Sequence, residues 1–409
     1  MPGKSQESRN ILMRTEPRIA LVVSHPIQHF CPQYVSFAAN VAVTFKVFFA
    51  STLGYRKYMD VNFNQEISWG NLELNKFDHV FLNGDTLLPS NSNIDAPLLD
   101  KALIDYGPDL VIIYGYFQKL QRRAHRWASH NRVRIAYISD SELRHHRNRL
   151  LELVKYLWIR KYFSKISFFL SVGNANEEFY RRYGVKDNQL LRMHFPIDFV
   201  KYERSFVDRE ALRKEIRSRY GIGESEIVVA VVGKLTPWKN QEHIIEALRL
   251  LEAASISIRL FVLGSGEQMD ALKGRAATLE HSQVHLVGFV NIDQLPAYYA
   301  ATDIYVHPSS IEPHSIAVSE AIYMGCPVIV SDRSGSYGPN DDVQEGLNGF
   351  VYQFGDISQL AQKIKILVKD EQLRQIFGLH SHKIAMEFQN KAHTEVLRTL
   401  RNRLTNELG

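Results

Sequence analysis

Residues 227–253 read IVVAVVGKLTPWKNQEHIIEALRLLEA. A β-branched run stops at Gly233 and a polar turn follows. The apolar positions then fall at helical spacing on Ile244, Ile245, Leu248 and Leu251. The strand shows no polar alternation, so both its faces are expected to be buried, as in a parallel sheet covered by helices. The unit recurs downstream. IRLFVLGSG (258–266) precedes EQMDALKGRAATL, VHLVGFV (284–290) precedes DQLPAYYAATD, and IYVHPSS (304–310) precedes an apolar helix and PVIVSD (327–332). Strands alternating with helices specify an α/β fold on a parallel sheet.

The first half repeats the pattern. RIALVV, VAVTFKVFFAS, FDHVFLN, PDLVIIYGYF, VRIAYISD and FFLSVG read as strands. Helical patterns lie between them, with the first expected from about Ile27, after a turn at His25-Pro26. Residues 203–226 are charged, helical and without strands, which places a domain boundary between 196 and 225. The expected architecture is two doubly wound, Rossmann-like domains facing across a cleft, at 1–200 and 201–385. Residues 386–409 are expected to form a helix that packs back on the N-terminal domain.

The 409 residues are 45% hydrophobic and 23% charged, which excludes a disordered or fibrous chain. Two cysteines, Cys31 and Cys326, offer no disulfide framework and no zinc spacing, so a reducing, cytoplasmic setting is expected. The polar N-terminus does not read as a signal peptide, and no apolar run is long enough to span a bilayer. The net charge of +5 is unevenly spread: residues 119–165 hold 13 Lys/Arg and three acids. This block suits an anionic surface, with peripheral contact to a membrane expected; a solvated helical face is the plainer alternative. The His145–His146 pair within it reads as surface.

EPHSIAVSEAIYMGCPVIVSD (312–332) places Glu320 among apolar residues, where burying a charge is costly. Pro313 suits the first turn of a helix and Gly325 its end. The amides of Ser315, Ile316 and Ala317 would then be unpaired and form an anion site. Glu320, further along, could accept two vicinal hydroxyls of a ribose; a Glu that snorkels to solvent or pairs with a basic residue is the alternative. Gly233, Lys234 and Lys239, at the end of a strand, suit a diphosphate. LGSGEQM (263–269) fails the dinucleotide fingerprint, because Met269 stands where the third glycine belongs. In the first half, His25, Gln28, Tyr116, Asp140 and Ser141 sit at strand ends and could bind an acceptor, with His25 suited to a sugar or phosphate and His29 equally suited to a structural role. Asp140 could also ligate a hard metal or cap the following helix.

Residues 227–365 resemble the retaining, nucleotide-sugar-dependent glycosyltransferases of the GT-B fold, family 4 type. The stretches that carry this are VVGKLTPWKNQ, LGSGEQMDAL, the run from VHLVGFV to PVIVSD, and GLNGFVYQFGD; Glu312-x7-Glu320 is the most specific. The resemblance implies a nucleoside-diphosphate sugar, UDP- or GDP-linked, and a glycan or lipid-linked acceptor in polysaccharide or glycoconjugate assembly. It implies Lys239 at the diphosphate, Lys234 where an arginine is usual, Glu320 at the ribose, Glu312 at the donor hexose, and Phe289-Val290 at the base. Pro313-His314-Ser315 replaces the usual Gly-Phe-Gly, and His314 is expected near the donor sugar. No cofactor and no metal are expected, and no nucleic-acid partner. A GT-B epimerase acting through Asp140 and Glu142, or a basic nucleic-acid-binding module, would be the alternatives.

Overall fold

The structure is a computed structural model that describes residues 16–40, 43–60, 65–67, 72–143 and 149–405. His145 and His146 lie outside the described residues.

The first sheet is built from β1 (Arg18–Val23), β2 (Thr44–Phe49), β5 (Asp78–Phe81), β6 (Leu110–Tyr114), β7 (Arg134–Ile138), β8 (Phe168–Ser171) and β9 (Leu190–Arg192). The order is β5-β2-β1-β6-β7-β8-β9 with every pairing parallel. A small antiparallel hairpin, β3 (Tyr58–Asp60) and β4 (Gln65–Ile67), stands apart. The helices between are α1 (Cys31–Asn40), α2 (Leu99–Tyr106), α3 (Lys119–His130), α4 (Arg149–Phe163) and α5 (Asn174–Arg182). Helix α1 begins at Cys31 rather than Ile27. The helix-starting proline is Pro32, in its first turn, while residues after Pro26 close a turn through the Phe30 amide and the Ile27 carbonyl (2.9 Å).

Helices α6 (Phe199–Val207) and α7 (Arg209–Arg219) lead into the second sheet. It contains β10 (Val228–Val232), β11 (Arg259–Leu263), β12 (Gln283–Gly288), β13 (Ile304–His307), β14 (Val328–Ser331) and β15 (Gly349–Tyr352). Its order is β12-β11-β10-β13-β14-β15, again parallel throughout. Helices α8 (Glu242–Glu252), α9 (Met269–Ala276), α10 (Leu295–Ala301), α11 (Ile316–Tyr323) and α12 (Ile357–Lys369) cover it. The β10 strand is buried on both faces: Val228 and Ala230 pack in one apolar core, Val229 and Val231 in the other.

The chain crosses between the domains twice. The first crossing is at 193–198; Ile197 and Tyr202 already belong to the C-terminal core. The second follows α13 (Glu371–Asn390), which passes through a π-type segment, Lys391–Glu395, into α14 (Val396–Thr405). Val396, Leu397, Leu400 and Leu404 pack with β1 and β2 of the first domain. The crossings are bonded side by side. The Ile197 amide donates to Gln389 Oε1 (2.9 Å), Gln389 Nε2 donates to the Phe195 carbonyl (3.1 Å), and His393 Nε2 donates to the Ile197 carbonyl (3.0 Å).

Candidate functional site

Parallel strands end on one side of their sheet, and there the loops after β10, β11 and β13 meet. Two glycines let them touch. A Cβ on Gly264 would lie 1.9 Å from the Gly233 carbonyl oxygen, and one on Gly266 2.4 Å from that of Leu235. The Leu235 amide donates to the Ser265 carbonyl (3.0 Å) and the Gln268 amide to the Leu235 carbonyl (3.0 Å). The glycines of LGSG therefore serve loop-on-loop packing. The Ser310 amide donates to the Trp238 carbonyl (2.8 Å) and to Asn240 Oδ1 (3.1 Å), which straps the lysine loop to the loop after β13.

That strap brings Lys239 to Glu312. The Lys239 ammonium bonds Glu312 Oε2, where His307 Nε2 also donates (2.9 Å). Ser309 Oγ lies 3.1 Å from His307 Nε2. Burial alone would raise the Glu312 pKa; His307 and Lys239 outweigh it and hold it at about 2. Glu312 is thus a fixed carboxylate at neutral pH: a strong hydrogen-bond acceptor and a weak base. His307, the last residue of β13, was not singled out by sequence. Its signal was a polar residue closing the otherwise apolar run Ile304–Val306.

Helix α11 starts at Ile316, with Ser315 as its N-cap, so Pro313 is outside it. Tertiary pairing accounts for the shift. Glu312 bridges Ser334, the Gly335 amide donates to the Glu312 carbonyl (2.7 Å), and the Ser315 amide donates to Ser336 Oγ (2.8 Å). The Ser315 amide is therefore spent, and the amides of Ile316 and Ala317 are those without an intrahelical acceptor. Glu320 is 4% exposed and accepts the Tyr299 hydroxyl at Oε2 (3.0 Å). Burial raises its pKa, against the pull of Tyr202 and Tyr299. Val290 packs at the edge of the core that holds Tyr299, while Phe289 is exposed. Lys234 is half-buried beside Gly233, its carbonyl accepting Gln241 Nε2 (3.0 Å). Thr236 Oγ1, Gln241 Oε1 and Ser265 Oγ, all in this loop cluster, are buried without a partner.

His314 does not face open space. Its side chain is fully buried, 3.3 Å from Asp342 Oδ2 and edge-on to Phe195. Burial lowers its pKa, but Asp342, Asp341 and Asp140 outweigh this and raise it. Ser319 Oγ on α11 also donates to Asp342 Oδ2 (2.6 Å). The imidazole thus fixes the loop after β14 to the start of α11.

The opposite wall comes from the first domain. Asp140 follows β7 and lines the cleft, where the protein around it partly desolvates its carboxyl and raises its pKa; His314, Glu312 and Glu142 are within electrostatic reach. It does not cap α4, which begins at Arg149. Ser141 is half-buried and its carbonyl accepts Asn176 Nδ2 (2.9 Å). His25 is buried, 2.8 Å from Ser24 Oγ through Nδ1, and burial drops its pKa to about 4, so it stands neutral. Gln28 is half-buried in the turn before α1. Tyr116 packs edge-on to Trp158 and Tyr162. At one side the domains are latched. Asp341 Oδ2 accepts the Asn174 amide (2.8 Å), and Arg192 donates to Asp341 Oδ1 (3.3 Å) and the Asn340 carbonyl (2.7 Å).

The basic block is divided in the structure. Arg123 is bidentate to Asp95, Arg122 bonds the Tyr116 and Phe117 carbonyls, and Arg134 bonds the Arg403 carbonyl. Lys119, Arg126, Arg160, Lys161 and Lys165 are exposed. Among the described residues, no helix is long and apolar enough to cross a membrane, and no group of three His, Cys, Asp or Glu is placed to hold a metal ion.

Residues 213–383 match the family Glycosyl transferases group 1. Over 248 residues the chain is 25% identical to an uncharacterized glycosyltransferase of Methanocaldococcus jannaschii, covering 60% of each protein. Over 224 residues it is 22% identical to the capsular polysaccharide biosynthesis glycosyltransferase CapM of Staphylococcus aureus, covering 54% of this chain and 57% of that one. The chain therefore spans less than two thirds of these relatives. Among solved structures, Anabaena HepE in complex with UDP superposes with a TM-score of 0.69 at 17% identity, over 94% of this chain and 99% of that one. A Rickettsia africae glycosyltransferase gives 0.68 at 15%, over 96% and 99%. The fold is GT-B, and residues 213–383 are a glycosyl transferases group 1 domain. Neither the epimerase nor the nucleic-acid reading is favoured by these relatives.

Proposed function

We propose that the protein is a retaining glycosyltransferase of family 4 type. It moves a sugar from a UDP- or GDP-sugar to a glycan or lipid-linked acceptor in polysaccharide or glycoconjugate assembly. The observation that carries this is the convergence of Lys239, His307 and Glu312 at the strand ends, with Glu320 in the helix that starts beside them. A fixed ammonium beside open helix amides suits a diphosphate, and a carboxylate beside tyrosine hydroxyls suits a ribose.

In this reading Lys234, Lys239 and the amides of Ile316 and Ala317 stabilise charge developing on the leaving diphosphate. Glu312, ionised and locked, accepts a hydroxyl of the donor sugar and orients it. With a pKa of about 2 it does not serve as a base, which agrees with the acceptor's proton passing to the leaving phosphate. Val290, at the edge of an apolar core, and the exposed ring of Phe289 beside it suit the base. Asp140 and Ser141, facing Glu312 from the other wall, suit acceptor hydroxyls. The reaction needs no metal, and the protein works in the cytoplasm, at the membrane surface.

A donor panel tests this. A UDP- or GDP-sugar should raise the melting temperature of the protein by mass action and be consumed when acceptor is added. Glu320→Ala should abolish the shift. If no nucleotide sugar shifts the protein, and Glu320→Ala is without effect, the reading fails.

A further inference from the structure

The loop between β14 and β15 carries two adjacent aspartates, Asp341 and Asp342, which are 0% and 2% exposed. Two neighbouring carboxylates withdrawn from water destabilise a fold unless each is given partners. Here the partners lie in opposite directions. Asp341 turns to the first domain. Its Oδ2 accepts the Asn174 amide (2.8 Å) and its Oδ1 accepts Arg192 Nη1 (3.3 Å). Asn174 is the first residue of α5, so this carboxylate sits at the positive end of a helix from the other domain. The Asn340 amide donates in return to Asn174 Oδ1 (3.2 Å). The approach is close enough to need glycine on both sides. A Cβ on Gly173 would lie 2.6 Å from Asp341 Oδ1, and one on Gly338 2.6 Å from Asn174 Oδ1.

Asp342 turns the other way, into its own domain. Its Oδ2 accepts Ser319 Oγ (2.6 Å) and lies 3.3 Å from His314 Nε2. Ser319 precedes Glu320 on α11, and His314 precedes the N-cap of that helix. A single peptide unit separates the two aspartates, and the loop around it is braced. Asn348 Nδ2 donates to the Asp342 carbonyl (2.8 Å) and to Ser381 Oγ (3.2 Å). The Val343 amide donates to the Ser336 carbonyl (3.0 Å), while Ser336 Oγ accepts the Ser315 amide at the start of α11 (2.8 Å). Asp341 therefore has little freedom to move without moving Asp342.

Helix α11 carries the open amides of Ile316 and Ala317 and the Glu320 carboxylate. We propose that Asp341 and Asp342 are positioning residues that couple the seam between the domains to α11. A nucleotide held by α11 then tightens the contact with α5, and that contact tightens the nucleotide. The effect runs both ways because one coupling free energy is shared by the two places. Were the aspartates independent, each would only complete its own hydrogen bonds, and a ligand on α11 would leave α5 unchanged. The nucleotide part rests on the reading of α11 as the donor-binding helix; the chain of bonds from α5 to α11 does not.

The Asn174 amide is its own reporter, because its acceptor belongs to the other domain. Hydrogen exchange at the start of α5, read by mass spectrometry on the full chain, should slow about fivefold at saturating UDP or GDP. Ser319→Ala removes one bond to Asp342. It should abolish that slowing while the nucleotide still raises the melting temperature. Asp341→Asn, at the far end of the coupler, should weaken the nucleotide by the same factor, about fivefold. Should that variant not fold, Arg192→Gln breaks the same contact from the first domain. Slowing that persists in Ser319→Ala, or an α5 that ignores a nucleotide the protein binds, overturns the proposal. So does unaltered nucleotide affinity in the seam variant. If neither nucleotide shifts the protein, the transferase reading falls. The coupler is then decided in the ligand-free protein, where Ser319→Ala should speed exchange at the start of α5 and equal exchange overturns it.

Discussion

Glu312 and Glu320 lie on one short stretch, both in poor solvent, and the protein treats them in opposite ways. Around Glu312 it gathers an ammonium and an imidazole, and the carboxyl ionises at about pH 2. Around Glu320 it places tyrosine hydroxyls and apolar helix, and the pKa rises. Burial acts on both in the same direction; the partners decide the outcome. The first becomes a permanent anion that holds a lysine. The second is a carboxylate whose charge is costly where it lies.

The hardest way to break this contrast is Glu312→Ala. It leaves Lys239 and His307 without their shared acceptor, and turnover should fall by about 10²–10³-fold, as for loss of a group that preorganises charge. Retention of more than a tenth of wild-type activity would show that Lys239 alone suffices.

Acid stability sharpens it. The Glu312 pKa is depressed, so its stabilisation is present above the unfolded value near 4.5 and is lost as pH falls towards 2. It is on the order of 3 kcal/mol. For Glu320 the pKa is raised, so its contribution is complete below the unfolded value and lost as pH rises through the folded one. Denaturant melts of Glu312→Gln and Glu320→Gln against wild type should therefore diverge in opposite directions with pH. Curves of the same slope would contradict the assignment.

Glu320→Gln keeps an acceptor for Tyr299 but loses the anion. Donor affinity, read by calorimetry, should fall by about 1.5–3 kcal/mol while the folded protein is as stable or more so near pH 8. Equal affinity would remove Glu320 from the ribose. The smallest effect is expected for Tyr299→Phe, which deletes one hydroxyl from a buried carboxylate. It should cost about 1 kcal/mol of stability and raise the Glu320 pKa further, visible as donor binding lost at a higher pH when the solution is acidified.

Much of the scaffold was legible from pattern. Apolar runs closed by Gly or polar residues marked β1, β6, β7, β10, β11 and β13. Strand β9 was not, because Leu190–Arg192 is only three residues and draws its identity from pairing with β8. Helix α11 was placed three residues early, because the proline signal at Pro313 is local while the bridge to Ser334 and the bond from Ser315 to Ser336 are not. His314 is expected beside the donor sugar; the structure buries its imidazole against Asp342, 28 residues on, a partner that no local pattern marks.

By itself the sequence determined the alternation of strand and helix, the two sheets, and the short spacing between Glu312 and Glu320. These depend on neighbours a few residues away, whose periodicity is written in the chain. Only the tertiary structure decided that Lys239 closes on Glu312 across 73 residues, that His307 joins them, and that Asp140 from the first domain looks onto the pair. The reason is physical. A carboxylate takes its charge from whatever long-range packing sets beside it, and no local pattern records which residue that will be.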